Sequence, residues 1–89
     1  MIGANLREAN LSRAILIMVN LRAATLSGAS LQEANLVGAH LTGALLDGAN
    51  LSRANVTWAN LKGVKVTEQQ LAQTNSLKGA TLPDGTKHE

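Results

Sequence analysis

Two histidines, six carboxylate side chains and no cysteine are all that this 89-residue chain offers for acid–base, nucleophilic or metal chemistry. His40 sits in the phrase "AHL" with neither a cysteine nor a Ser–Asp pair to work with, and His88 falls in the closing "TKHE", expected to be frayed. The acids are spread singly from Glu8 to Glu89, and no ligand spacing or glycine-rich phosphate loop appears. Catalysis is therefore not expected, nor any cofactor, metal site or small-molecule substrate. The remaining chemistry is contact chemistry. The stretch "AILIMVNL", Ala14 to Leu21, sets four apolar residues, Ile15, Ile17, Met18 and Val19, around its leucines, whose neighbours elsewhere are mostly polar.

What positions these residues is a period of five. Thirteen successive positions from 6 to 66, here called i, hold eleven Leu plus Val56 and Val66. Two residues earlier, from Ala4 to Val64, stand eleven Ala, Val19 and Val64. Between them, at i−1, Asn occurs seven times: Asn5, Asn10, Asn20, Asn35, Asn50, Asn55 and Asn60. On an α-helix a step of five advances about 140°, so the leucines would form no stripe. On a flat strand an odd step alternates faces. The backbone must instead turn once per repeat, so that every i residue faces a common axis, which makes an all-β solenoid. The alanine is inward near a corner where little fits, and the i−1 residue points outward, where Asn can bond the turn backbone. Glycine at i+2 (Gly28, Gly38, Gly43, Gly48, Gly63) suits a turn that needs positive φ.

The phrases "ANLRE", "ANLSR", "ANLVG" and "ANLKG" resemble the pentapeptide repeat family, and the ending "SLKGATLPDGTKHE" is similar to tails of small cyanobacterial members. The resemblance implies a right-handed quadrilateral β-helix with four pentapeptides per coil and about three coils. At roughly 4.8 Å per coil the stack would be about 15 Å tall.

After Lys65 the pattern breaks. Thr67-Glu68-Gln69-Gln70 reads as a helix start, with Thr67 as N-cap and Gln70 at the capping-box position. A short C-terminal α-helical cap is expected, its Leu71 and Ala72 facing the last coil. The organisation is thus a β-helix over 1–68 and a cap with an extended tail over 69–89. The leucine spacing resumes at Leu77 and Leu82, one residue out of phase, before the turn "PDG". No matching cap precedes Ala4, so the first coil reads as raw, a sign of self-association, a missing partner or an upstream segment.

With twenty residues per coil, outward residues twenty apart form columns. Arg13, Glu33 and Arg53 make a ladder of alternating charge; Arg22, Thr42 and Lys62 make a mildly basic side; Arg7, Ser27, Asp47 and Thr67 a mixed one. The fourth side gathers Ile15, Ile17, Met18, Val37 and Trp58, the candidate protein-contact face, with Leu45 the main apolar residue elsewhere. Val19, large for an alanine corner, is expected to bulge its coil.

These features suggest a non-enzymatic structural or protein-interaction module, with a protein partner or self-association at the apolar side. The alternative drawn from the resemblance is a DNA mimic that protects a topoisomerase. Such members are strongly acidic and longer, against a net charge of +2 and a short rod here. The same slight charge gives no reason to expect nucleic acid. No apolar run approaches the roughly 20 residues that span a bilayer, so membrane insertion is not expected. No signal segment opens the chain, which leaves the cytoplasm as the default compartment.

Overall fold

The computed structural model describes residues 1–88. Its backbone turns through a corner every five residues and returns to the same side after twenty. Parallel bridges link Asn5, Thr25, Leu45 and Lys65 on one side and Asn10, Ser30 and Asn50 on the next. Ile15, Asn35 and Asn55 form the third column, and Asn20, His40 and Asn60 the fourth. The bridged residue is always i−1, so each side is a two- or three-residue extended piece.

Every corner is built the same way. The N–H of each i−2 residue donates back to the preceding leucine carbonyl, as Ala9 does to Leu6 at 3.0 Å. The i+2 residue then has positive φ: all the glycines there, and also Glu8, Arg13, Met18, Ala23, Glu33, Arg53 and Trp58 at 58–63°. This is a type II turn, whose second central residue is left-handed. The N–H of i+1 lies inside the bend, and the i−1 asparagine meets it. Oδ1 of all seven repeat asparagines accepts from the N–H two residues on, at 2.9–3.3 Å. Asparagine is thus at i−1 because it stands in for the backbone acceptor that the turn lacks.

Inside, leucines and alanines fill the bore. From Leu21 to Leu61 every i residue is 0–2% exposed, and the intervening alanines are buried as well, at 0–5%. The first coil is different: Leu6, Leu11, Leu16 and Val19 pack on this core but remain only half-buried, because no coil of the described residues lies above them. Val19 shows little of the expected bulge, its turn bond lengthening to 3.2 Å against 3.0 Å at neighbouring corners.

At the other end α1 (Glu68–Ala72) interrupts the coil. Thr67 and Gln70 form the full capping box, and Gln70 Nε2 also donates to the carbonyls of Leu46 and Ala49 at 2.8 and 2.9 Å. Leu71 packs on the core as expected, whereas Ala72 is exposed, since five helical residues bring only one apolar side chain inward. The helix adds one residue to the circuit, so the next bridges are Asn55 to Ser76 and Asn60 to Thr81. The tail is not loose as far as it is described. It turns at 83–85 and folds back, with Lys87 bridging Thr81 antiparallel and His88 bonding both Gly79 and Ala80 at 2.7 Å. Glu89 lies outside the described residues.

Candidate interaction face

The third column carries the apolar cluster. Ile15 is 79% exposed, Ile17 50% and Met18 64%, all on the first coil, with half-buried Val37 directly beneath Ile17 on the second. Ile15 occupies a position that a capping asparagine holds in seven of the thirteen repeats. Without an Oδ1 above it, the Ile17 N–H has no partner among the described residues. Met18 is bulky at a left-handed corner and keeps its place by laying its side chain over Gly38, whose absent Cβ would otherwise meet Sδ at 2.5 Å. Glycine at 38 is therefore what lets Met18 lie flat.

Trp58 stands in the same column but does a different thing. Its ring covers Gly79 on the coil below, where a Cβ would fall 2.5–2.7 Å from ring atoms. Lys87 Nζ lies 5.3 Å from the ring centroid, a cation–π contact from the returning tail. The indole is 58% exposed, yet its covered face is spent on its own chain. The structure thus brings Ile15, Ile17, Met18 and Val37 together and sets Trp58 apart, beyond Gly38. The spacing of twenty hides this contact. Counting twenty from Trp58 gives Lys78, and only the extra residue of α1 brings Gly79 under the ring.

The other sides are polar. Arg13 Nε donates to Glu33 Oε1 at 2.8 Å, and Arg53 lies 3.6 Å from Oε2. The hydrogen bond and charge of Arg13, with Arg53 adding less, lower the Glu33 pKa, and the same contact raises that of Arg13. Ser27 Oγ donates to Asp47 at 2.6 Å and lowers the Asp47 pKa. Leu45, 41% exposed, is isolated among them. These sides are not flat, because glycine corners leave an open groove along Arg7, Ser27, Gly28, Asp47 and Gly48. A second groove lies between α1 and the tail, lined by Val66, Glu68, Leu71, Leu82, Pro83 and Asp84. His40 is exposed in the fourth column, bridging Asn20 and Asn60. No group of three or more acidic or histidine side chains converges among the described residues. Among them, too, no helix is long and apolar enough to cross a membrane.

A four-cornered parallel solenoid with sealed leucines and asparagine-capped turns defines a class of repeat protein. Pentapeptide repeats match in eight copies over residues 1–28 and 24–63, and the chain belongs to that family. None of the curated proteins matches it in sequence. Among solved structures it is similar to the pentapeptide repeat protein Rfr23 of the cyanobacterium Cyanothece 51142, at 39% identity and TM-score 0.71 over 96% of this chain and 54% of that one. A pentapeptide repeat protein of Nostoc PCC 7120 shows 34% identity and TM-score 0.72, over 88% of this chain and 64% of that one. One from the Arabidopsis thaliana thylakoid lumen shows 30% and 0.71, over 90% and 51%. The chain thus spans about half to two-thirds of the length of these relatives. Their likeness gives the fold its name, a right-handed quadrilateral β-helix.

Proposed function

We propose that this chain is a non-enzymatic protein-interaction module that contacts an apolar protein surface through Ile15, Ile17, Met18 and Val37. In this reading three regular coils form a rigid body, a fourth irregular one carries α1 as the C-terminal cap, and the polar sides keep the rod soluble. One observation carries it. Three large apolar side chains, each at least half exposed, lie contiguously on one side of the protein, whereas elsewhere Leu45 stands alone and Met1 and Ile2 form a pair at the first corner. A sheet needs aliphatic residues for its propensity, but not Ile at a turn-capping position or Met at a left-handed corner. Trp58 is left out of this surface, because its covered face already holds the tail.

The test compares what the wild-type chain and an Ile15→Ser, Ile17→Ser, Met18→Ser variant capture from lysate of the source organism, with circular dichroism confirming that both are folded. A protein retained by the wild type and lost by the variant is the expected result. Identical captured sets would remove this side from consideration.

A further inference from the structure

The net charge of this chain is gathered around its apolar side. Arg13, Glu33 and Arg53 stack along the corner that leads into that side, and Glu33 faces both arginines. Lys78 takes the next place down in the column of Ile17, Val37 and Thr57. The Trp58 N–H donates to the Lys78 carbonyl just as the Met18 N–H donates to that of Val37. Arg13, Arg53 and Lys78 are all exposed. These three cations against one carboxylate equal the formal net charge of +2, and the five other cations and five other carboxylates cancel. A hydrogen bond is also left open within the apolar patch. At seven corners an asparagine Oδ1 takes the N–H of i+1, but Ile15 leaves the Ile17 N–H without a partner among the described residues. The other corners of the thirteen repeats that lack asparagine have Ser27, Gln32, Thr42, Asp47 or Thr67 at i+1, each with a polar side chain of its own. The Ile17 donor instead belongs to a run in which Ile15, Ile17 and Met18 are apolar and at least half exposed. A partner covering them with apolar groups alone would bury this N–H unpaired, at a cost comparable to a lost hydrogen bond.

Building on the contact reading above, we propose that the occupant of this side is a different protein that presents carboxylates among apolar residues. One carboxylate takes the Ile17 N–H, standing where an asparagine Oδ1 stands at the capped corners. Others face Arg13, Arg53 and Lys78. A carboxylate suits both places, because a charge-assisted bond to a backbone N–H is about twice as strong as a neutral one. A second copy of this chain fits poorly. For two copies packed side to side, the two-fold axis lies in the contact plane. An axis along the rod sets Lys78 against Lys78. An axis along the strands, at the height of Val37, sets Arg13 against Arg53. Either arrangement opposes like charges, which disfavours self-pairing and favours an acidic partner. The same positive border draws an acidic surface toward this side, so the association is salt-dependent.

Crosslinking yield tests it, with a benzophenone side chain replacing Val37 and lysate of the source organism as the probe. Sequencing of the adduct by mass spectrometry should find Asp or Glu beside apolar residues in the crosslinked segment. The yield should fall several-fold between about 50 and 500 mM salt, and likewise in Arg53→Glu with Lys78→Glu. Arg22→Glu with Lys62→Glu, the same change of net charge on the neighbouring side, should leave it unchanged. Ile15→Ala keeps the Ile17 N–H free, whereas Ile15→Asn caps it. The alanine variant should therefore give roughly tenfold more adduct than the asparagine one. Circular dichroism confirms that each variant is folded. A yield indifferent to salt and to the Arg53/Lys78 reversal, or equal in the two Ile15 variants, overturns the proposal while the contact reading stands. An adduct with lipid, or with the chain itself, also overturns it. No adduct under any condition removes the contact reading, and this proposal with it.

Discussion

Three glycines share one backbone conformation and differ only in what lies above them, which makes their alanine variants a graded test of the corner chemistry. Gly43, Gly38 and Gly79 have φ of 73°, 68° and 71°. A Cβ at Gly43 meets nothing within 4 Å, so Gly43→Ala carries only the left-handed cost, about 1 kcal/mol. For a domain of this size that lowers Tm by roughly 4–8 °C. At Gly38 the Cβ meets Met18 Sδ at 2.5 Å, the far end of a flexible chain that can swing away, so the added loss is small. At Gly79 it meets three carbons of the Trp58 ring, and the ring must leave as a unit. Trp58 is 58% exposed. With a full surface of about 250 Å², roughly 100 Å² is covered, which corresponds to at most about 2.5 kcal/mol. Gly79→Ala should therefore cost between about 1 and 3.5 kcal/mol, the upper figure applying if all the cover is lost. Thermal melts give the ranking Gly43→Ala mildest and Gly79→Ala most severe. Because Trp58 is the only tryptophan, its emission should shift red in Gly79→Ala and stay unchanged in Gly43→Ala. Equal melting losses at all three sites, or an unshifted spectrum in Gly79→Ala, would refute the packing described.

Other outcomes follow from burial and bonding. Leu36→Ala, at a 1% exposed site, should cost about 3–5 kcal/mol in denaturant unfolding, and Leu11→Ala on the half-buried first coil clearly less. Asn55→Ala removes the acceptor of both the Thr57 N–H and the Thr57 hydroxyl and should cost about 1–2 kcal/mol, measured the same way. Glu33 has a lowered pKa in the folded chain, so its favourable contribution is present above the ordinary value of 4.5 and fades as pH falls through the folded value. Melting temperature against pH should accordingly fall less steeply below 4.5 in Glu33→Gln than in the wild type.

Much of the architecture is legible because a period of five admits few backbones. Leucine at i, alanine at i−2 and asparagine at i−1 are each dictated by one local requirement, and the bridges at twenty-residue steps return the expected columns. The capping box at Thr67 and Gln70 is equally local. What escapes the pattern is non-local. The extra residue in α1 moves Gly79 under Trp58, and the tail at 86–88 finds Thr81 and Gly79 only once the fourth coil is closed. Left-handed corners are read easily from glycine but not from Arg13 or Met18, which adopt the same φ because the turn imposes it. Of the candidate face, the cluster around Ile17 is visible as a break in polar residues. The separation of Trp58 from it is a fact of packing.

The apolar side as a contact surface is the central claim, and site-specific photo-crosslinking tests it most directly. A benzophenone side chain replacing Ile17 or Val37 should yield a discrete adduct with another protein in cells of the source organism. The same group at Asp47, exposed on a different side, should not. Adducts of equal yield at all three positions, or at Asp47 alone, would contradict the claim.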